Sequence, residues 1–399
     1  MPSSTPTLRL KPGHVQPVWA GHPWVYAQAV DRVEGGATAG DEVSVVDPRG
    51  NVLGRGFYSP GSAIPIRILV RDPKAHIDGE LFRSRIAHAL AWREKMKIAN
   101  SETDGYRVVH AEGDGLPGLI VDRFADVAVV QFLTFGMHAR ADLILQAIHD
   151  VMKPRTIIDR TPQNIAKLEG FTPQNGVLRG DEISELSFRE RGLKYKIPLE
   201  LGQKTGFYFD QRTLRARVEA LAADARVLDT YSYVGSFAMA AARGGAKEVV
   251  AVDESALALE VAAECARDNG FENRITYVKQ DAKKALQEAG TKGGYDLVIV
   301  DPPRLAPTRS AKDAALVAYA KLAELGCRAT KHGGTLVFCS CSGAVDLWTL
   351  TRALTTGALK ANVQALVWDR AFQGADHPVS AAFPEGLYLK ALLARIEPR

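Results

Sequence analysis

The sequence has few cysteines and no long apolar run, and each shortage excludes a class of protein. Its 399 residues include four cysteines, of which Cys339 and Cys341 stand one residue apart, so there is no disulfide framework of the kind that small secreted domains use. No apolar stretch reaches the roughly 20 residues of a membrane helix. The first residues also lack the basic-then-apolar pattern of a signal peptide. These absences predict a cytoplasmic protein without a membrane partner.

Net charge is also small. A value of +4 is too low to predict nucleic-acid binding by itself, so any contact with RNA must come from local basic patches. The composition, 46% hydrophobic and 24% charged, is that of an ordinary globular protein. Because single cores rarely grow past about 250 to 300 residues, the length predicts two or three domains.

Local patterns divide the chain into three predicted domains. Residues 1–75 carry short strands and turns without a long helix, which indicates a small all-β module. Residues 76–195 mix a helical period over 78–98 with a β-rich stretch, which indicates an α+β domain. Residues 196–399 alternate strands and helices, which is typical of an α/β fold with a parallel sheet. The strands of this third domain are predicted over 226–229, 248–253, 275–279, 297–300, 335–339, 363–368 and 387–396.

Acidic residues follow three successive predicted strands of the third domain. Asp229 closes the first strand, Asp253 closes the second, and Asp281 follows the third. Ligands bind at the carboxyl ends of such strands, where a carboxylate can hold ribose hydroxyls. Each aspartate by itself fits a helix cap equally well. Three such aspartates at the ends of successive strands favour a ligand-binding site over helix caps alone.

The first turn of this domain distinguishes two cofactors. Residues 229–236 carry a single glycine, Gly235, whereas a dinucleotide pyrophosphate needs the several glycines of G-x-G-x-x-G. S-adenosylmethionine has no phosphate, so one glycine can suffice, and the turn favours it over NAD. Just before the sheet, Phe207 and Tyr208 are candidates to cover an adenine or a methionine tail, and Asp210 to accept from its ammonium group.

The predicted cofactor site draws on several strand ends and on the segment before the sheet. Its residues are Phe207, Tyr208, Asp210, Asp229, Tyr231, Ser232, Gly235, Asp253, Ser255, Asp281, Ala282, Asp301 and Pro302.

Two further strand ends carry candidate catalytic groups. One predicted strand leads into Asp301-Pro302-Pro303, and the last parallel strand leads into Ser340-Cys341-Ser342. A thiolate that attacks carbon 6 of a pyrimidine makes carbon 5 nucleophilic, so Cys341 fits a nucleophile and Asp301 a contact to the edge of the ring. Cys265, Cys327 and Cys339 fall inside predicted elements and fit core positions. No second Cys or His pair completes four metal ligands around Cys339 and Cys341, so no metal is predicted.

These motifs resemble those of a known family. The chain is similar, over nearly its full length, to bacterial class I methyltransferases that make 5-methylcytosine in large-subunit ribosomal RNA. The resemblance rests on 10–14 and 21–26 near the start, 112–122 in the middle, and 202–212, 229–237, 301–303 and 340–343 in the last domain. It implies an N-terminal PUA-like RNA-binding barrel, a small α+β domain and a Rossmann-like methyltransferase domain.

The resemblance also implies roles and a substrate. It makes Cys341 the nucleophile, S-adenosylmethionine the cofactor and ribosomal RNA the partner. Related pyrimidine carbon-5 enzymes carry their base on a late glutamate, which points to Glu385. Two other functions stay open: methylation of an amine or small molecule with Asp301-Pro302-Pro303 and no covalent step, and RNA binding without chemistry. A monomer and a homodimer also both stay open.

Overall fold

A computed structural model describes residues 5–201, 205–306 and 311–399, so the motif residues Gly202–Lys204 lie outside the described part. The chain forms two compact units, and each unit is built from three separate segments of the chain. The first unit comprises Met1–Arg191, Gly202–Phe207 and Ala375–Gly386. The second comprises Gly192–Leu201, Tyr208–Gly374 and Leu387–Arg399. The predicted boundaries after residues 75 and 195 stay a prediction.

The first unit begins with an all-β module, as the turn-rich sequence predicted. Its elements are β1 (Thr7–Leu10), α1 (Val15–Trp19), β2 (Trp24–Val25), β3 (Val30–Glu34), β4 (Glu42–Val46), β5 (Val52–Tyr58) and β6 (Ile66–Val70). In the described residues, six strands pair in the order β2-β6-β5-β4-β1-β3. Every second residue of β1 and β4 is buried, which places an apolar core on one side of these strands.

The rest of the first unit is α+β. Its elements are α2 (Gly79–Lys95), β7 (Gly105–His110), β8 (Leu119–Phe124), β9 (Val127–Phe132), α3 (Phe135–His138), α4 (Ala141–Met152), β10 (Thr156–Asp159), α5 (Gln163–Glu169), β11 (Gly176–Gly180) and β12 (Glu185–Glu190). Five strands of the described part pair in the order β11-β10-β9-β8-β7. Asp78 starts α2 by accepting a hydrogen bond from the Leu81 amide at 3.0 Å. The helix predicted over 78–98 is thus confirmed, although it ends three residues earlier, at Lys95.

Close packing joins the β module to the α+β part within this unit. A Cβ atom on Gly136 would lie 2.2 Å from Cβ of Phe57, so only glycine permits this approach of α3 to β5. The Arg140 guanidinium lies 3.8 Å from the centre of the Phe57 ring. Ser59 donates a hydrogen bond to Glu169 at 2.7 Å. The β module and the α+β part therefore pack directly against each other.

The second unit is an α/β fold. Its elements are β13 (Leu193–Pro198), α6 (Arg212–Leu221), β14 (Arg226–Thr230), α7 (Ser236–Arg243), β15 (Glu248–Asp253), α8 (Ala256–Asp268), β16 (Ile275–Lys279), α9 (Ala282–Thr291), β17 (Tyr295–Val300), α10 (Lys312–Ala329), β18 (Thr330–Ser340), α11 (Leu347–Ala361), β19 (Val363–Phe372) and β20 (Lys390–Pro398). Seven strands of the described residues pair in the order β16-β15-β14-β17-β18-β20-β19.

The strand order of this sheet places the site. Strands β14 to β18 are parallel, and β20 pairs antiparallel with both β18 and β19. Strands β15 and β16 follow β14 on one side of it, and β17 then pairs with β14 on the other side. The direction of strand addition therefore reverses between β14 and β17. Crevices outside the carboxyl ends of strands at such a reversal bind ligands in open α/β sheets. In the described residues, no helix is long and apolar enough to cross a membrane.

Candidate active site

The turn after β14 is held in a strained conformation at the reversal point. Tyr231 and Tyr233 have φ angles of 60° and 50°, and Gly235 has 69°, all in the left-handed region. Such conformations cost about 1 to 3 kcal/mol for residues with a Cβ and persist where surrounding contacts impose them, often at ligand sites. Here the Ser232 amide donates to the Val252 carbonyl at 3.0 Å, and the Tyr233 amide donates to Asp253 at 2.9 Å. The turn is therefore fixed against the end of β15.

Aspartates lie at three strand ends of this edge, as the sequence predicted, but in different environments. Asp229 is buried, and its Oδ2 accepts from the Ala238 amide at 3.0 Å. Burial holds the pKa of this carboxyl well above its ordinary value. Asp253 accepts from the Ser255 amide at 2.9 Å in addition to that of Tyr233. Asp281 is exposed and starts α9 by accepting from the Lys284 amide at 2.9 Å.

Three buried polar atoms of the site have no hydrogen-bond partner in the described residues. They are Oδ1 of Asp229, Oγ of Ser232 and Oε1 of Gln211. A buried polar atom without a partner costs about 1 to 3 kcal/mol, so native proteins rarely leave one unless a ligand or water completes it. Oε1 of Gln211 accepts only, and Oδ1 of Asp229 accepts when it does not carry the carboxyl proton, which suits a ligand with ammonium or hydroxyl donors. The residues present thus fit the amino and ribose groups of S-adenosylmethionine.

The segment before α6 divides between the two compact units. Tyr208 lies in the second unit, where its ring is edge-on to that of Tyr233 with 5.5 Å between the ring centres. Burial raises the pKa of its phenol. Asp210 is also buried there and accepts from the Tyr388 hydroxyl at 2.6 Å. Phe207 belongs to the first unit, where it is buried with its ring 5.0 Å from that of Phe188. The predicted role of Phe207 in the cofactor site stays a prediction.

Asp301 directly follows β17, on the strand beside β14. Gln211 donates from Nε2 to its Oδ2 at 2.8 Å, which links this carboxylate to the segment before α6. Pro302, the next residue, is buried. The sequence did not single out Gln211, although it stands beside Asp210 in a segment that is rich in polar and aromatic residues.

Buried hydroxyl groups hold the loop that carries Cys341. The Ser340 hydroxyl donates to the Tyr319 hydroxyl at 2.8 Å, and the latter lies 3.2 Å from Oγ of Ser342. That same Oγ accepts from the Ala306 amide at 3.1 Å. Both serines are fully buried, whereas Cys341 between them is partly exposed. The loop is therefore anchored on both sides of a thiol that solvent can reach.

The other cysteines lie in the interior. Burial raises the pKa of Cys265 to about 11 and that of Cys327 to about 12, and it holds the pKa of Cys339 well above its ordinary value. A thiol must ionise to act as a nucleophile, so these three are poor candidates near neutral pH.

Glu385 lies in the first compact unit, whereas Cys341 and Asp301 lie in the second. Its carboxylate is 3.3 Å from Nε2 of His22 and accepts from the Tyr26 hydroxyl at 3.2 Å. Within its own unit, then, Glu385 contacts the β module. Its predicted role as a base stays a prediction.

Two regions of the chain match known family models. Residues 8–71 match a PUA-like domain, and residues 171–357 match an S-adenosylmethionine-dependent methyltransferase. The structure of SMU.776 complexed with SAH has the same fold, with a TM-score of 0.84 and 19% identity over 97% of this chain and 99% of that chain. The protein is therefore an S-adenosylmethionine-dependent methyltransferase with an N-terminal PUA-like domain, which confirms the predicted fold class and cofactor.

Full-length relatives define the family. Ribosomal RNA large subunit methyltransferase I of Alteromonas mediterranea is 37% identical over 97% of this chain and 98% of its own length. The protein of the same name from Shewanella denitrificans is 36% identical over 98% of this chain and 99% of its own. The chain belongs to the family of ribosomal RNA large subunit methyltransferase I proteins.

Proposed function

We propose that this enzyme methylates carbon 5 of a cytosine in large-subunit ribosomal RNA through a covalent adduct with Cys341. The position of Cys341 carries the proposal, because it is a partly exposed thiol on an anchored loop at the carboxyl edge of the sheet. Its strand, β18, neighbours β17, which leads into Asp301. The name of the family supports ribosomal RNA as the substrate.

The covalent step accounts for the reactivity of carbon 5. The Cys341 thiolate forms a bond to carbon 6 with a sulfur lone pair, and the electrons of the C5–C6 double bond move toward carbon 5. When bound, S-adenosylmethionine would supply an electrophilic methyl group, to which carbon 5 bonds while the cofactor's sulfur keeps the electron pair of the broken C–S bond. A base then removes the proton from carbon 5, the double bond reforms, and the thiolate leaves with its electron pair. Asp301 contacts the amide-like edge of the ring, held in place by Gln211. We keep Glu385 as the proposed base.

We propose a cofactor site made mostly of the residues that the sequence predicted. Within the described part of the chain, Asp229, Ser232 and Gln211 offer buried atoms that lack hydrogen-bond partners, and Asp253 stands at the tip of β15. We propose that Asp253 holds the ribose hydroxyls, as carboxylates at this position do in related folds. Tyr208, Asp210, Tyr231, Gly235, Ser255, Asp281, Ala282, Asp301 and Pro302 complete the proposed site, and Phe207 stays a candidate.

Replacing Asp253 by alanine should weaken S-adenosylmethionine binding by about 1 to 3 kcal/mol, the usual scale for losing charge-assisted hydrogen bonds. Isothermal titration calorimetry of the folded variant measures the change. Glu248→Ala is a matched control, since Glu248 begins the same strand at its opposite end and forms a surface pair with Arg226 at 2.8 Å. Equal affinities for both variants would remove Asp253 from the site.

The PUA-like module offers basic groups for the phosphates of RNA. Of its basic residues, Arg55 pairs with Glu42 at 2.5 Å, and Arg67 pairs with Glu169 at 3.6 Å. Lys11 and Arg49 are exposed. Because a cation that already faces a carboxylate gains less from a phosphate, we propose Lys11 and Arg49 as the phosphate contacts of this group.

Trapping on a modified RNA tests the proposed function. In 5-fluorocytidine a fluorine replaces the carbon 5 hydrogen that the base must remove as a proton. Release of the enzyme is then blocked, so the covalent adduct should persist when large-subunit ribosomal RNA contains 5-fluorocytidine. Denaturing electrophoresis followed by peptide mass spectrometry should show one RNA-linked peptide that contains Cys341. Methylation of unmodified RNA without any adduct would reject the covalent mechanism and support methylation of an amine with Asp301-Pro302-Pro303.

A further inference from the structure

A lysine is buried beside the loop that carries Cys341. Lys390 is the first residue of β20 and pairs with Ser340, the last residue of β18, in the antiparallel register. Its side chain is buried, with 3% of the residue exposed, and Nζ donates to the carbonyl of Ser342 at 2.9 Å. The ammonium group therefore lies against the backbone that directly follows Cys341.

The position of this lysine calls for an explanation, because burying a cation costs several kcal/mol unless a partner compensates it. In the described residues, no carboxylate lies within 4.0 Å of Nζ, and a carbonyl is the hydrogen-bond acceptor. The anions that attract this charge are the Cys341 thiolate, once it forms, and then the Asp346 carboxylate.

We propose that Lys390 is a positioning residue for Cys341, in which its buried ammonium group stabilises the thiolate and its hydrogen bond fixes the loop. This inference rests on the proposed covalent function. Cys341 loses its proton to solvent, while Lys390 keeps its own proton and acts by electrostatic attraction. The methyl transfer itself does not involve Lys390.

The surrounding titratable groups agree with this role. Those that interact with Cys341 or Lys390 are Tyr208, Tyr319, Cys339, Asp346 and Arg304, and Asp301 lies close to the first three. Burial raises the pKa values of both tyrosines and of Cys339, so these groups are neutral near pH 7. Burial lowers the pKa of Lys390 to about 8, which still leaves most of it charged at pH 7. The stabilisation should therefore act at neutral pH and fade above about pH 8.

Alkylation of the free enzyme measures the thiolate without RNA. Iodoacetamide reacts with the thiolate by forming a carbon–sulfur bond and releasing iodide, and Cys341 is the partly exposed cysteine of the four. The rate for wild type should reach half its maximum below about pH 8.5, the ordinary value for cysteine. A Cys341→Ala variant should show no fast alkylation over the same pH range.

Two substitutions separate charge from hydrogen bonding. Lys390→Gln keeps a donor without the charge, and it should move the midpoint of the profile up by about one pH unit, which means roughly tenfold slower alkylation at pH 6.5. Lys390→Arg keeps the charge and should restore the profile toward that of wild type. Melting temperature and S-adenosylmethionine affinity confirm that each variant is folded.

Each outcome decides the inference. An unchanged profile in Lys390→Gln, or equal shifts in both variants, would overturn it, because the charge would then have no effect. A wild-type midpoint at or above pH 8.5 would overturn it as well, even if neither variant folds. The trapping assay reports separately on the proposed function: an adduct without a Lys390 effect rejects only the inference, and a Lys390 effect without an adduct rejects only the covalent mechanism.

Discussion

Replacing Cys341 by serine should abolish the trapped adduct and reduce methyl transfer by on the order of 10³-fold or more, as expected for loss of a covalent nucleophile. A serine hydroxyl is hardly ionised near neutral pH without a dedicated base, whereas a thiol ionises readily. Serine is close to cysteine in size, and the neighbouring hydrogen bonds of Ser340 and Ser342 involve other atoms. The loop should therefore keep its shape while the chemistry is lost.

Cys339→Ser is the matched comparison, since the two thiols stand one residue apart. Cys339 is fully buried inside β18, opposite Ala391 of β20. A hydroxyl there should cost about 1 to 3 kcal/mol of stability, the usual scale for a buried polar group with incomplete partners, while the adduct should still form. Gel-based trapping with 5-fluorocytidine RNA, together with thermal melts, measures both effects. An adduct that survives Cys341→Ser and disappears in Cys339→Ser would assign the nucleophile to Cys339.

The edge of the sheet where the site lies could be predicted because parallel strands have a simple sequence pattern. Residues 297–300 form an apolar run in which every side chain is buried, as expected of a strand covered on both faces. Polar residues directly after such runs must lie at the same edge. Asp229 of β14 pairs with Ile299 of β17, and Asp301 comes two residues after Ile299. Asp229 and Asp301 therefore lie at the ends of neighbouring strands. The pattern thus located Asp229, Asp253 and Asp301.

The partners of these residues could not be predicted in the same way. Gln211 is 90 positions from Asp301, and Lys390 is 48 positions from Ser342. Periodicity indicates whether a side chain is buried, but it does not indicate which distant side chain it meets. Tyr319 illustrates the limit: inside α10 it fits the pattern of a core residue, and only the tertiary structure shows its contacts with Ser340 and Ser342.

The start of β18 differs from the prediction for a related reason. The strand was predicted over 335–339, after His332-Gly333-Gly334, which has the composition of a turn. The structure begins β18 at Thr330, which pairs with Tyr295 of β17 across an irregularity in the register. Residues 331–334 have no partner in the register with β17, and Gly333 has a φ of 80°, so this segment forms the irregularity between Thr330 and Thr335.

Removing the carboxylate of Asp114 should destabilise the first compact unit by about 3 to 5 kcal/mol, the scale for leaving a buried charge without its partner. Arg93 is fully buried and forms two hydrogen bonds with Asp114, at 2.5 Å and 2.8 Å. Its other hydrogen bonds go to the carbonyls of Ala89 at 3.3 Å, Arg107 at 3.0 Å and Asp376 at 2.7 Å, which cannot neutralise the cation. Asp114→Ala would therefore leave the charge in the interior.

An exposed pair in the same unit provides the control for this prediction. Asp126 lies 2.8 Å from Arg155, and the side chains are 59% and 46% exposed. Because water screens such a pair, Asp126→Ala should cost no more than about 1 kcal/mol. Native-state hydrogen exchange over α2, which carries Arg93, measures the opening free energy of this unit in both variants. Equal costs for Asp114→Ala and Asp126→Ala would mean that burial of Arg93 adds nothing to the strength of its ion pair.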